Sequence, residues 1–175
     1  MTTPIYSTQG ISSPQEFLRH VVEKDMKEFR GAGAELRVAY HACTSLFSLR
    51  DWVLQTHDGK NWTYRSNPQP QMSVKNKRAF YRQLCAIDSN YEIISDVANA
   101  SKHMKLGTSD RHTDMVAAAN VHINILSSGG ATAAAALGPK TTRVYAHIGS
   151  KHYDVLVGAE AVYGVWLELF KENSW

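Results

Sequence analysis

Asp96, Asn99 and His103 put an acid, an amide and an imidazole on one stretch of chain, residues 91–106. At about 100° per residue they share an arc of about 60° on a helix. The neighbouring arc is apolar, built by Ile93, Val97, Ala100 and Met104. Such side chains at the border of a buried face can hold a polar or anionic ligand, with Lys102 adding charge and His41 contributing from another helix. The same residues equally make a structural seam of polar contacts between helices. Adding His41 or His57 to Asp96, Asn99 and His103 gives no dense metal motif such as H-E-x-x-H or a Cys/His knuckle. No metal and no cofactor is expected. The chain also lacks G-x-x-x-x-G-K-[ST] and G-x-G-x-x-G, the commonest nucleotide-binding signatures.

The segment Asn99-Ala100-Ser101-Lys102-His103 has the form N-x-x-x-H inside a helical pattern. In this it resembles the HEPN superfamily, whose motif is an Arg, usually followed by a polar residue, with a His a few positions on. The resemblance spans the second to fourth helices and leaves out the C-terminal strands. It implies a small helical domain and, as in many members, a metal-independent ribonuclease of a toxin or phage-defence type. The Arg and His then act on the scissile phosphate and the 2′-hydroxyl, with Asn99, His103 and Asp96 as the catalytic candidates. Ala98 stands where the motif has its Arg. A second match, Arg50-Asp51 with His57, lies on the second helix, and chance supplies about one such spacing in a chain of this composition.

Residues 60–87 hold Lys60, Arg65, Lys75, Lys77, Arg78 and Arg82 with no acid among them. Trp62, Tyr64, Phe80 and Tyr81 are interleaved, the composition of an RNA or DNA contact, for which Lys75, Lys77, Arg78 and Arg82 are the candidates. The alternative is a solvated surface whose charges balance acids elsewhere in the fold. A net charge of +3 gives no wholesale attraction to nucleic acid or membrane.

The elements that must position these residues follow from periodicity. Residues 1–12 read as an arm. Ser13-Pro14-Gln15-Glu16 then starts a first helix, with Ser13 as cap, Pro14 in the first turn and Glu16 closing the capping box. A second helix covers residues 34–57 and stops at Asp58-Gly59. Its broad apolar arc contains Arg50, and a second stripe of Arg37, His41, Ser45, Ser48, Trp52 and Gln55 runs opposite. That predicts packing on both sides and, with the aromatics of the last helix, a homodimer. A charge inside an apolar arc needs an acid, and Asp96 is the expected partner of Arg50. Residues 67–71, Asn-Pro-Gln-Pro-Gln, read as irregular. Ser73 caps a third helix, and Ser89-Asn90-Tyr91-Glu92 boxes the start of the fourth.

The period then changes. Val121, Ile123 and Ile125, next Val144, Ala146 and Ile148, and last Tyr153, Val155 and Val157 alternate with polar residues as a three-stranded antiparallel meander. Residues 129–139 are a connection. Gly158 opens a final helix to residue 173, with Val162, Val165, Trp166, Leu169 and Phe170 inward.

The expectation is thus one α+β domain: helical bundle over 13–106, β-meander over 120–157, and C-terminal helix over 159–173. At 175 residues it can bury a core without staples. Cys43 and Cys85 read as buried free thiols of a reducing compartment. No signal peptide and no membrane-length apolar run appears, so a cytoplasmic protein without a membrane partner is expected. Binding, through self-association and a polar ligand or nucleic acid, is the expected mode of action, with a HEPN-like ribonuclease as the alternative and an orphan metal-dependent enzyme third.

Overall fold

The chain is an α+β fold in which helical rods and two antiparallel sheets share one core. The computed structural model describes residues 10–32, 35–100, 121–127, 142–148 and 150–175. The end of the expected fourth helix, with Lys102 and His103, lies outside the described residues, as do most of the N-terminal arm and the 129–139 connection.

The first rod starts as its sequence dictates. The Ser13 hydroxyl accepts the Glu16 N–H at 3.1 Å and Pro14 sits in the first turn of α1 (Pro14–Phe17). The Glu16 carboxylate closes the box one residue earlier than expected. It accepts the Ser12 N–H at 2.8 Å and the Ser12 hydroxyl at 2.9 Å, which lowers its pKa. A π-helical turn, Leu18–Val22, then carries one extra residue before α2 (Glu23–Gly31). Across it the Glu23 N–H reaches back five residues to the Leu18 carbonyl.

Helix α3 (Leu36–His57) has the two faces its pattern predicts. Val38, Ala42, Cys43, Leu46, Leu49, Val53 and Leu54 are buried. On the opposite stripe Phe17 stacks on Trp52, with ring centroids 5.0 Å apart and planes 22° from parallel.

Asn67–Gln69, expected to be irregular with the rest of 67–71, is instead the second strand of a hairpin. β1 (Trp62–Tyr64) pairs antiparallel with β2 (Asn67–Gln69) across Arg65 and Ser66, both at positive φ, 50° and 60°. Left-handed backbone at both central residues matches the twist of a two-residue hairpin. Pro68 is tolerated because an edge strand leaves positions where no ladder donor is needed. A 3-10 turn (Val74–Asn76), capped by Ser73, leads to α4 (Lys77–Ile87), which Asn76 caps in turn by accepting the Ala79 N–H at 3.1 Å.

Helix α5 (Asn90–Ala100) is the central element. Residues Ile93 through Ala98 are all buried, because α3, α4, α6 and β3 pack around it. Asp88, not Ser89, supplies a side-chain acceptor at its start, taking the Asn90 N–H at 2.8 Å.

Strands β3 (Val121–Ser127), β4 (Thr142–Ile148) and β5 (Lys151–Asp154) form the expected meander in the order β3-β4-β5. Val144 and Ala146 face the core while Arg143 and Tyr145 are half-buried on the other face. The third strand ends earlier than Val157. The Asp154 carboxylate accepts the N–H groups of Leu156 and Val157 and starts α6 (Val155–Asn173) there. Such capping satisfies helix donors that a strand would leave to a neighbour. Trp166 and Leu169 are fully buried, and the chain ends on Trp175, 3% exposed, against Trp62, Phe80 and Phe170.

Candidate functional site

The residues singled out in the sequence fall in two places. Asp96 is buried on α5, and Asn99, half-buried, reaches back to the Ser95 hydroxyl at 3.5 Å. His41 does not join them. It lies nine residues before Arg50, so it stands about 180° round α3 from the face that packs on α5. There it lines a groove between the first rod and α3.

On the α5 side, the carboxylate that meets Arg50 is Asp51 rather than Asp96. Arg50 Nη2 lies 3.2 Å from Asp51 Oδ1, and its Nε is 3.3 Å from the same oxygen. The guanidinium also sits 4.3 Å from the centroid of the Phe47 ring. Its side chain keeps 14% exposure. A long side chain can leave the arc its Cβ points into, and stacking on an aromatic face lowers the cost of doing so. Asp51 also meets Lys77 Nζ at 3.6 Å, joining α3 to α4. His57, the other half of that Arg–His spacing, packs on Trp175 instead, and burial followed by the charge of Lys60 lowers its pKa.

Around this turn of α3 lie Tyr81, Cys85, Tyr91 and Ser95. Burial pushes the Cys85 thiol up to about 11, while the Tyr81 hydroxyl and Arg50 pull the other way. Burial also raises Tyr81 and Tyr91. At neutral pH all three hold their protons, which removes them as nucleophiles and bases. The Tyr91 hydroxyl and the Trp166 Nε1 are buried without a hydrogen-bond partner among the described residues. Cys43, also raised by burial, is enclosed in the core.

The basic stretch splits. Arg65 is answered by α6: its Nε lies 3.3 Å from Glu168, and Glu172 accepts the N–H groups of Arg65 and Ser66. Lys75, Lys77 and Arg82 are exposed on or before α4, and Arg78 is half-buried there.

The groove is the feature that sequence reasoning saw only as a second stripe on a helix. It encloses about 690 Å3 between Phe17, Val21 and Asp25 on one wall and Arg37, Tyr40, His41, Thr44, Ser45 and Ser48 on the other. The π turn sets the first wall, and such turns recur at functional sites. Ser45 and Ser48 donate their hydroxyls to the Ala42 and Thr44 carbonyls, at 3.1 and 2.7 Å, so both protons are spent within α3. Arg37 is spent too, paired with Glu28 at 2.8 Å and Glu35 at 3.0 Å. Asp25, Tyr40 and His41 make no hydrogen bond or ion pair with any described residue. The Phe17–Trp52 stack lies one turn beyond Ser48 and closes that end.

No cluster of three metal-binding side chains occurs among the described residues, and no described helix is long and apolar enough to cross a membrane. Compared with protein families, with curated proteins and with solved structures, the chain matches none.

Proposed function

We propose that this protein acts by binding, and that the groove between the first rod and α3 takes an amphipathic organic cation. One observation carries this: an apolar groove of about 690 Å3 holds three polar groups, Asp25, Tyr40 and His41, whose side chains have no hydrogen-bond or ion-pair partner among the described residues. That volume lies inside the range of small-ligand sites, roughly 300–1,000 Å3, and few convergent polar groups in an apolar wall are their usual composition. With Arg37 neutralised by Glu28 and Glu35, the formal charge left in the groove is the Asp25 carboxylate. The ligand therefore has an apolar or aromatic body for Phe17, Val21 and Tyr40 and an ammonium-type end for Asp25. Thermal melting against a panel of aryl and alkyl amines and matched carboxylates tests this. Amines raise the midpoint and carboxylates do not, and Asp25→Asn removes the rise. A panel without effect, or a rise that survives both Asp25→Asn and Thr44→Trp, ends the proposal.

A second reading is an RNA-binding or HEPN-like ribonuclease face on α4. It is favoured by the Lys77–Asp51 contact, which makes the basic residues of α4 continuous with the Arg50–Asp51 turn. Affinity for mixed RNA then falls steeply with salt as counterions are displaced. Lys75→Ala with Lys77→Ala flattens that slope, and Arg50→Ala or His103→Ala abolishes any cleavage. Salt-independent or absent binding removes this reading.

Self-association is proposed on narrower ground than the sequence offered. Phe17 covers Trp52, and Trp166 and Phe170 are buried within the chain, leaving Val157 and Leu167 as exposed apolar residues of α6.

A further inference from the structure

The groove between the first rod and α3 has two unlike ends. Phe17 meets Trp52 and Glu28 meets Arg37, so the rod and α3 run antiparallel. Asp25 therefore lies toward the Arg37 end of the groove and Phe17 toward the Ser48 end, about 12 Å away along the rod. Val21 lies between them, a turn from each. A ligand that reaches both ends is elongated, with its ammonium at Asp25 and its apolar body against Val21 and Phe17. The stack on Trp52 fixes the Phe17 ring, so the aromatic end is already formed.

Ser48 decides what that body carries. Its hydroxyl donates to the Thr44 carbonyl at 2.7 Å, and that bond uses its one proton. Toward a ligand the same oxygen can therefore only accept. Ser48 is half-buried and lines the groove, so its oxygen can be reached. Ser45, buried beside it, spends its proton likewise on the Ala42 carbonyl at 3.1 Å. Arg37, the strongest donor on this wall, is held by Glu28 and Glu35. A ligand thus meets an acceptor at each end of the groove, a carboxylate at one and a hydroxyl oxygen at the other.

We propose that the ligand is an arylalkylamine whose ring carries its own O–H or N–H donor. This rests on the groove being an amine site, as proposed above, and adds the chemistry of the far end. The ammonium meets Asp25, the ring packs on Val21 and Phe17, and the ring donor is given to the Ser48 oxygen. A ring that ends in an ether or a ketone brings one acceptor against another there, and loses its water without gaining a bond. An unsubstituted ring covers the Ser48 oxygen without satisfying it.

The experiment is a calorimetric titration of the full chain with two pairs of amines: tyramine against its methyl ether, and tryptamine against its 1-methyl derivative. Within each pair the ammonium and the ring are the same, and a methyl group replaces the ring donor's proton. In at least one pair the donor-bearing amine binds about 10-fold tighter. Ser48→Ala brings that pair to within about twofold, and the fold is kept because Ala suits a helix interior better than Ser. Asp25→Asn weakens both members and keeps their ratio. Equal affinities in both pairs overturn the ring donor while the amine site stands. So does a preference that survives Ser48→Ala, which reports the bulk of the methyl group instead. No binding by any of the four amines ends both this inference and the amine reading beneath it.

Discussion

Asn173 pairs with the backbone of Thr63 on both sides of its side-chain amide. Its Oδ1 accepts the Thr63 N–H at 2.8 Å and its Nδ2 donates to the Thr63 carbonyl at 2.9 Å. The last turn of α6 thereby occupies the free edge of β1 in place of a third strand. Asn173→Ala leaves two backbone groups of the hairpin unmatched and lowers stability by about 1–3 kcal/mol. Urea unfolding measures it, and amide exchange at Thr63 accelerates in the same variant. An unchanged midpoint contradicts the pairing.

Trp175 gives the larger test of the aromatic packing around Trp62. Its indole lies among Trp62, Phe80 and Phe170, with His57 6.0 Å away between centroids. Trp175→Ala empties an aromatic-sized space and costs about 3–5 kcal/mol. Calorimetric unfolding reads the loss directly, and a cost under about 1 kcal/mol would place the ring in solvent instead.

Gly164 lies in the interior of α6, exposed, with open space where a Cβ would stand. Ala there lowers the entropy of the unfolded chain and meets nothing. Gly164→Ala raises stability by about 1 kcal/mol and the melting temperature by a few degrees. A fall in melting temperature would show that another surface packs on this face.

Stability forms a plateau bounded by two different groups. Burial raises the Cys85 thiol from 9.0 to about 11, and raises Cys43, Tyr81 and Tyr91 as well. These groups hold their protons more tightly folded than unfolded. Their contribution is whole below about pH 9 and is lost as pH rises through the folded values. His57 runs the other way, because burial lowers its pKa below 6.5. Its contribution is whole above about pH 6.5 and is lost as pH falls through the lowered value. Urea midpoints across pH show both limbs, and His57→Gln flattens the one between about pH 5 and 6.5. Stability still rising at pH 10 contradicts the alkaline limb.

What the sequence made legible was periodic. Ser13 as cap, the double face of α3, the alternation of β4 and the inward Val162, Trp166, Leu169 and Phe170 of α6 follow from spacing, and the structure has each of them, with Val165 half-buried. Arg50 was placed correctly in an apolar arc, yet its partner was not, because an arc locates Cβ and not the end of a flexible side chain. The hairpin at residues 62–69 was missed for a related reason. Its signal is backbone conformation at Arg65 and Ser66, neither a residue type that advertises positive φ, and Pro68 argued against a strand that lies at an edge. Val155 and Val157 continued a two-residue period by chance, and Asp154 overrode it with a cap. The groove is a product of packing between two separate segments, which spacing along either one does not contain.

The π turn at Leu18–Val22 has a consequence for length variation. A π turn is an α-helix with one residue too many, so a one-residue deletion among Leu18–Val22 is accommodated without breaking the rod. The surplus residue is taken up inside the wider turn, so healing it leaves Phe17 and the Ser13 cap nearly in register with α2. Removing Arg19 or His20, both exposed, keeps Leu18 and Val22 in the core, whereas removing either of those two does not. The Phe17–Trp52 contact therefore tolerates a first rod of two different lengths, provided the residue lost is one that faces solvent.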